Sequence, residues 1–146
     1  AEVLGGKRVL SSLGREQAKL LGQKIGTLVS SQQSVALFSS CQFVAQETAK
    51  IIGEELKKKD PAILSQLSGE DFHDGEMIYQ ALLESAPGIE VIIAVGHNEA
   101  PLGIINAVRV TCFARQVDYQ EVGKGNGLMI DLTTGAVVNN LMKYRA

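Results

Sequence analysis

The sequence has no tryptophan, and aromatic residues make up only 5% of its 146 residues. A stacking platform for single-stranded nucleic acid is therefore not expected, because such platforms are built from aromatic side chains. Lys and Arg number 14 against 16 Asp and Glu, which gives a formal net charge of −2. That balance argues against a protein held on DNA or on a membrane by bulk electrostatics, although a small local anion site is compatible with it.

Cysteine is scarce as well, since the chain has only Cys41 and Cys112. Two cysteines are too few for a disulfide framework, and they lack metal-ligand spacing, so no metal site is predicted. Neither a Walker A pattern nor other cofactor or hydrolase motifs occur, and no cofactor is expected.

No apolar run approaches the ~20 residues of a membrane span. Without a secretory signal, the expected location is intracellular, in the cytoplasm or an organelle matrix, including the mitochondrion after presequence removal.

The 45% hydrophobic and 21% charged composition is that of a globular protein, and 146 residues suit a single domain over 1–146. Apolar spacing predicts helices over 12–29, 44–59 and 76–85, a further helix from about 100, strands over 35–38, 63–67 and 90–95, and a hairpin over 128–141. This alternation predicts an α/β fold with a mostly parallel sheet and helices on both faces.

Three local expectations accompany this fold. Residues 3–12 contain Gly5-Gly6 and are expected to form a loop. The lysines at 57–59 are expected near the C-terminus of the second helix, where cations suit the helix dipole. The continuous apolar run over 90–95 predicts a strand that is buried on both faces.

Polar residues follow two of the predicted strands. Ser39-Ser40 come after the first strand, and Gly96-His97-Asn98 come after the apolar one. Ligands of open α/β sheets bind beyond the carboxyl ends of the strands, and the following helix N-termini attract anions. His97 is therefore a candidate for anion binding or acid–base chemistry.

Four segments resemble, in the same order, motifs of the histidine phosphatase (phosphoglycerate mutase-like) superfamily. They are 13–22, Ser39-Ser40 with 45–49, 95–98 and 125–132. Order and spacing are similar to the small branch that includes bacterial phosphohistidine phosphatases. The resemblance implies a nucleophilic histidine in an Arg-His-Gly motif, held with arginines and a second histidine around the transferred phosphoryl group. It implies His97 as a catalytic remnant and His97, Ser39, Ser40 and Asn98 as phosphate-binding residues.

The sequence departs from the family pattern at two places. It contains no Arg-His-Gly motif, and Val44 stands where the family has an arginine. Candidates for the leaving-group acid are Glu70, Asp71 and Asp74, in a polar loop that also holds His73. The family's first strand lies inside its sheet, and without it two inner strand edges would be exposed. A protein partner, an oligomer or the segment 3–10 is therefore expected to complete the sheet.

Three functional hypotheses follow from these observations. The first is a catalytically incomplete histidine-phosphatase-like domain that acts as a structural or binding module, as in an accessory subunit of a larger assembly. The alternative is a phosphohistidine or phosphomonoester phosphatase whose nucleophile strand precedes Ala1, with Arg8, Arg115 or Lys124 replacing the missing arginine. The third is a domain that binds a small anion at His97 without turnover.

Overall fold

The computed structural model describes residues 2–4, 7–58, 60–67, 75–96, 129–130, 137–138, 141–143 and 145. Its helices are α1 (Ser12–Leu28), α2 (Phe43–Glu55) and α3 (Gly75–Ser85). Its strands are β1 (Glu2–Leu4), β2 (Lys7–Val9), β3 (Val35–Ser39), β4 (Ala62–Ile63), β5 (Val91–Val95), β6 (Met129–Ile130) and β7 (Val137–Val138). Two short 3₁₀ turns cover Ser65–Leu67 and Leu141–Lys143.

The central sheet has three strands in the order β4-β3-β5, and both pairings are parallel. The predicted α/β class is thereby confirmed for the described part of the chain. β3 and β5 pair along their full length, from Val35 opposite Val91 to Ser39 opposite Val95. β1–β2 and β6–β7 form two separate antiparallel pairs, of which β6–β7 lies within the predicted C-terminal hairpin.

The two faces of the central sheet carry different apolar clusters. One cluster joins α3 to alternate residues of the strands, with Phe38, Ile78 and Leu82 buried and Ile92 and Ala94 partly buried. The other contains buried residues of α1, α2 and the last 3₁₀ turn, with partly buried Val95 and Met129 against it; its buried members are Leu21, Ile52 and Leu141. Because neighbouring residues of a strand point to opposite faces, these clusters place helices on both faces, as predicted.

Helices α1 and α2 lie side by side and run parallel. Arg15 meets Glu47 near their N-termini, and Gly26 faces Leu56 near their C-termini. Between these contacts the helices approach closely at Gly22, where an added Cβ would lie 3.2 Å from the Cα of Ile52. Both N-termini are therefore at the same edge of the molecule, beside the carboxyl ends of β3 and β5.

The boundaries of α1 agree with the sequence prediction, whereas α2 ends earlier than predicted. The Ser11 hydroxyl caps α1 by accepting from the Gly14 N–H at 3.0 Å. α2 stops at Glu55 because Lys57 takes a positive φ of 55°, so that Lys58 N–H donates to the Gly53 carbonyl at 2.8 Å. This bond pattern, with Lys57 N–H donating to the Glu54 carbonyl, is a Schellman helix end. The prediction that this helix continues to residue 59 was therefore wrong, whereas Lys57 and Lys58 lie near its C-terminus, as expected.

Three other expectations also need correction. Residues 3–12 are not only a loop, because β1 and β2 pair in register from Glu2 opposite Val9 to Leu4 opposite Lys7. The strand expected over 63–67 is a two-residue strand, β4, followed by a 3₁₀ turn. β5 is half-buried at all five positions rather than buried on both faces, because within the described chain only β3 pairs with it. The helix expected from about residue 100 lies outside the described residues.

None of the helices in the described part of the chain combines the length and the apolar character that a membrane crossing requires.

Candidate functional site

The candidate site lies at the carboxyl edge of the central sheet, where β3 gives way to α2. Ser39 and Ser40 are both fully buried there, with 0% exposure. Their backbones bind the two neighbouring strands: the Ser39 carbonyl accepts from Leu64 N–H at 2.8 Å, and Ser40 N–H donates to the Val95 carbonyl at 3.0 Å. The turn from β3 to α2 is therefore fixed on both sides.

The serine hydroxyls make hydrogen bonds within this turn. Ser39 Oγ donates to the Ser40 carbonyl at 2.6 Å, and Ser40 Oγ accepts from the Gln42 N–H at 3.4 Å. Gln46 of α2 also binds this turn: its Nε2 donates to the Cys41 carbonyl at 2.9 Å. The hydroxyl proton of Ser39 is thus committed to the protein, and phosphate binding by the two serines stays a prediction.

Val44 lies in the first turn of α2, at the position where the family resemblance implies an arginine. Its side chain is half-buried and can neither carry charge nor donate a hydrogen bond. The next residue, Ala45, is buried against the body of the protein. The first turn of α2 therefore begins with Phe43, Val44 and Ala45, three apolar side chains.

One set of contacts at this edge was missed by the sequence prediction. The Glu47 carboxylate, one turn beyond Val44, accepts the Leu10 N–H through Oε1 at 3.1 Å and pairs with the Arg15 guanidinium through Oε2. Its side chain is 12% exposed, whereas that of Arg15 is 54% exposed. No sequence pattern signals this pairing, because Arg15 and Glu47 lie 32 residues apart on different helices.

Several predicted site residues lie outside what the structure describes. These are His97 and Asn98, the loop candidates Glu70, Asp71, His73 and Asp74, and the cations Arg115 and Lys124. The backbone of Arg8 lies in β2, but its side chain is outside the described part. Of the predicted phosphate-binding residues, the structure thus positions Ser39 and Ser40.

Reactive cysteines and clusters of metal ligands are the other chemical groups of interest in the described region. Cys41 is exposed and its thiol is not in a disulfide, while Cys112 lies outside the described residues. No group of three or more His, Cys, Asp or Glu side chains able to hold a metal ion is found among the described residues.

Comparisons with known proteins add no assignment, because no protein-family model matches the chain and no curated protein sequence matches it.

Proposed function

We propose that this chain is a histidine-phosphatase-like domain that serves as a structural or binding module, an accessory subunit of a larger assembly, rather than as a phosphatase. The observation that carries the proposal is Val44, half-buried in the first turn of α2 where the family resemblance implies an arginine. A phosphoryl group in transfer spreads negative charge over its oxygens, and a bidentate arginine stabilises that charge best. Losing one such donor typically slows a reaction by about 100- to 1000-fold.

Among the described residues, Arg15 is the cation that an ion pair places against α2. It reaches α2 from α1, and its guanidinium is already bound by the Glu47 carboxylate. To hold a phosphoryl group it would have to leave that carboxylate. The Ser39 hydroxyl is committed in the same way, since its proton is donated to the Ser40 carbonyl. At this edge of the sheet the Arg15 guanidinium and the Ser39 hydroxyl thus bind other groups of the protein, which supports a structural role for them rather than anion binding.

The partner in this proposal is a protein segment, from another protein or a second copy, that adds a strand along β5. In the parallel ladder, Val91 N–H and the Val95 carbonyl point toward β3, so the peptide groups of Ile92 and Ala94 point to the opposite edge. Natural edge strands are usually interrupted by charged residues or proline. Residues 91–95 carry neither, which is typical of a strand with neighbours on both sides.

Turnover by the full-length protein tests the proposal. The natural protein and its His97→Ala variant are assayed on phosphohistidine and aryl phosphate substrates. We expect no turnover above the rate of the variant. Turnover that His97→Ala abolishes would overturn the proposal and favour the phosphatase alternative. The imidazole resonances of His97 during phosphate titration distinguish an anion-binding module, for which they shift, from a purely structural one.

A further inference from the structure

Helix α1 has one side that points away from the body of the protein. Its buried residues Ala18, Leu21 and Gly22 lie together on the inner side. Since an α-helix turns by about 100° per residue, Leu20 lies on the opposite side, where its side chain is 45% exposed. The residues of α1 within about 60° of Leu20 are here called the outer stripe. They are Leu13, Glu16, Gln17, Leu20, Gln23, Lys24 and Thr27.

The outer stripe combines apolar side chains with charges of both signs. Leu13 is 68% exposed, the largest exposure among the large apolar residues described, and Leu20 lies two turns further along the helix. Glu16 precedes Leu20 by four residues and Lys24 follows it by four, so both charges flank this leucine on the same face. Leucines flanked by charged residues in this way also form the contact face of paired helices.

We propose that the outer stripe of α1 binds the outer stripe of a second copy of the chain, with the two helices antiparallel and crossing at Leu20. In that arrangement, Glu16 lies level with Lys24 of the second copy, and Lys24 lies level with its Glu16. Gln17 lies level with Gln23 of the second copy, and amides of two glutamines can both donate and accept a hydrogen bond. The two Leu20 side chains meet at the centre.

The charges determine both the orientation and the occupant. A parallel pair crossing at Leu20 would place Glu16 level with a second Glu16 and Lys24 level with a second Lys24, which is unfavourable. The antiparallel pair opposes a carboxylate to an ammonium at both levels, because a two-fold contact repeats every interaction. The outer stripe is therefore complementary to itself, as a two-fold contact between identical copies requires.

The size of the contact predicts a weak dimer. α1 has 17 residues and is about 26 Å long. A contact between two helices of this length is smaller than the ~1,200 Å² at which the range of stable interfaces begins. We therefore expect an equilibrium between monomer and dimer that shifts with protein concentration. The inference concerns α1 alone, so it is independent of the proposed function and of the partner strand along β5.

Cysteine cross-linking tests the crossing point. In a protein that carries Cys41→Ser and Cys112→Ser, Leu20→Cys would face the same thiol of the second copy. Leu13→Cys is the matched control, because the two copies of residue 13 would lie ~21 Å apart along the helices. We expect Leu20→Cys to form linked dimers at least about tenfold faster under mild oxidation, since a disulfide needs close Cβ atoms. Because Leu13 is the more exposed residue, random collisions would favour the control. Equal rates, or faster linkage through Leu13→Cys, would overturn the proposal.

Charge exchange tests the antiparallel register. Sedimentation velocity over a series of protein concentrations measures the dissociation constant of the dimer. Glu16→Lys and Lys24→Glu should each raise it by about tenfold, because each variant replaces two attractions by two repulsions. The double variant restores opposite charges at both levels and should return the constant to within about threefold of the natural value. Glu54→Lys, at an exposed position of α2, is the control and should have no effect.

Two results of this series would contradict the proposal. A double variant that dimerises as weakly as the single variants would overturn the antiparallel register. A chain that stays monomeric at every concentration would overturn the self-association itself and assign the outer stripe to a different protein.

Discussion

Ser34 and Glu90 each bind the backbone of the other at the point where β3 and β5 begin. Glu90 N–H donates to Ser34 Oγ at 2.9 Å, and Ser34 N–H donates to Glu90 Oε1 at 3.4 Å. Val91 N–H then donates to the Ser34 carbonyl at 3.0 Å. The two bonds between Ser34 and Glu90 join residues 56 positions apart, and all three bonds fix the register in which the two strands pair.

Removing either partner of this reciprocal pair should weaken the fold to a similar extent. Ser34→Ala and Glu90→Ala are each expected to lower the free energy of unfolding by about 0.5–1.5 kcal/mol. The double variant should lose less than the sum, because each single change already disrupts the shared arrangement. Urea unfolding measures all three, with Ser31→Ala at an exposed position as the control. Strict additivity would show that the two bonds act independently.

The close approach of α1 and α2 predicts opposite effects for two glycines one turn apart. At Gly22 an added Cβ would lie 3.0 Å from the Cβ of Glu55 and 3.2 Å from the Cα of Ile52. Gly22→Ala should therefore force the helices apart and destabilise the protein by about 1–3 kcal/mol.

Gly26→Ala is the matched control for this prediction. Among the described residues its added Cβ meets Leu56 Cδ2 alone, at an ordinary 3.5 Å, and alanine favours the helix by up to about 1 kcal/mol. We therefore expect Gly26→Ala to raise the urea midpoint. A Gly22→Ala protein as stable as Gly26→Ala would contradict the close helix approach.

The helix end at Lys57 predicts a stabilising substitution. A lysine at φ 55° pays the steric cost of a left-handed residue, which glycine does not. Lys57→Gly is expected to raise the free energy of unfolding by about 1 kcal/mol. Lys58→Gly, at a residue without positive φ, should give no gain. Thermal unfolding compares the two, and equal effects would argue against a Schellman end at Glu55.

The outer edge of β5 predicts an alternating exchange pattern in the isolated chain. Ile93 and Val95 N–H groups point toward β3 and should be protected, whereas those of Ile92 and Ala94 should exchange at least about 100-fold faster. Ala94→Pro should keep the β3–β5 ladder intact, since it removes only an outward N–H. Ile93→Pro removes an inward one and should cost several-fold more stability. Uniform protection over 91–95 would contradict the partner strand in the proposed function.

Local patterns with strong periodicity were predicted well. α1 has an apolar stripe with three-and-four spacing and a serine cap at Ser11, so both its presence and its start could be derived from residues close in sequence. The β1–β2 pair was missed because the strands are only three residues long. The Gly5-Gly6 pair was the available signal, since a Gly-Gly pair favours a tight hairpin connection.

Features that depend on distant contacts could not be predicted. The burial of β5 depends on which strands and helices flank it in space. Its apolar sequence predicts that a strand forms but not how many neighbours cover it. The end of α2 depends on a positive φ at a lysine, a residue type that seldom adopts that conformation. At the site, the position of Ser39 and Ser40 at the end of a strand could be predicted from the sequence. The pairing of Arg15 with Glu47 could not, because it joins two helices and no sequence periodicity relates the two residues.

The Arg15–Glu47 contact has an electrostatic consequence for folding. The first turn of α1 contains no acidic residue, although negative charge there would offset the partial positive charge of the helix dipole. Glu47 brings a carboxylate against that turn from α2, beside Leu10 and Arg15. Because Arg15 adds a positive charge at the same end of α1, the carboxylate of Glu47 first offsets that unfavourable charge. α1 therefore receives part of its stability only after α2 has formed and docked, which couples the two helices into one cooperative unit.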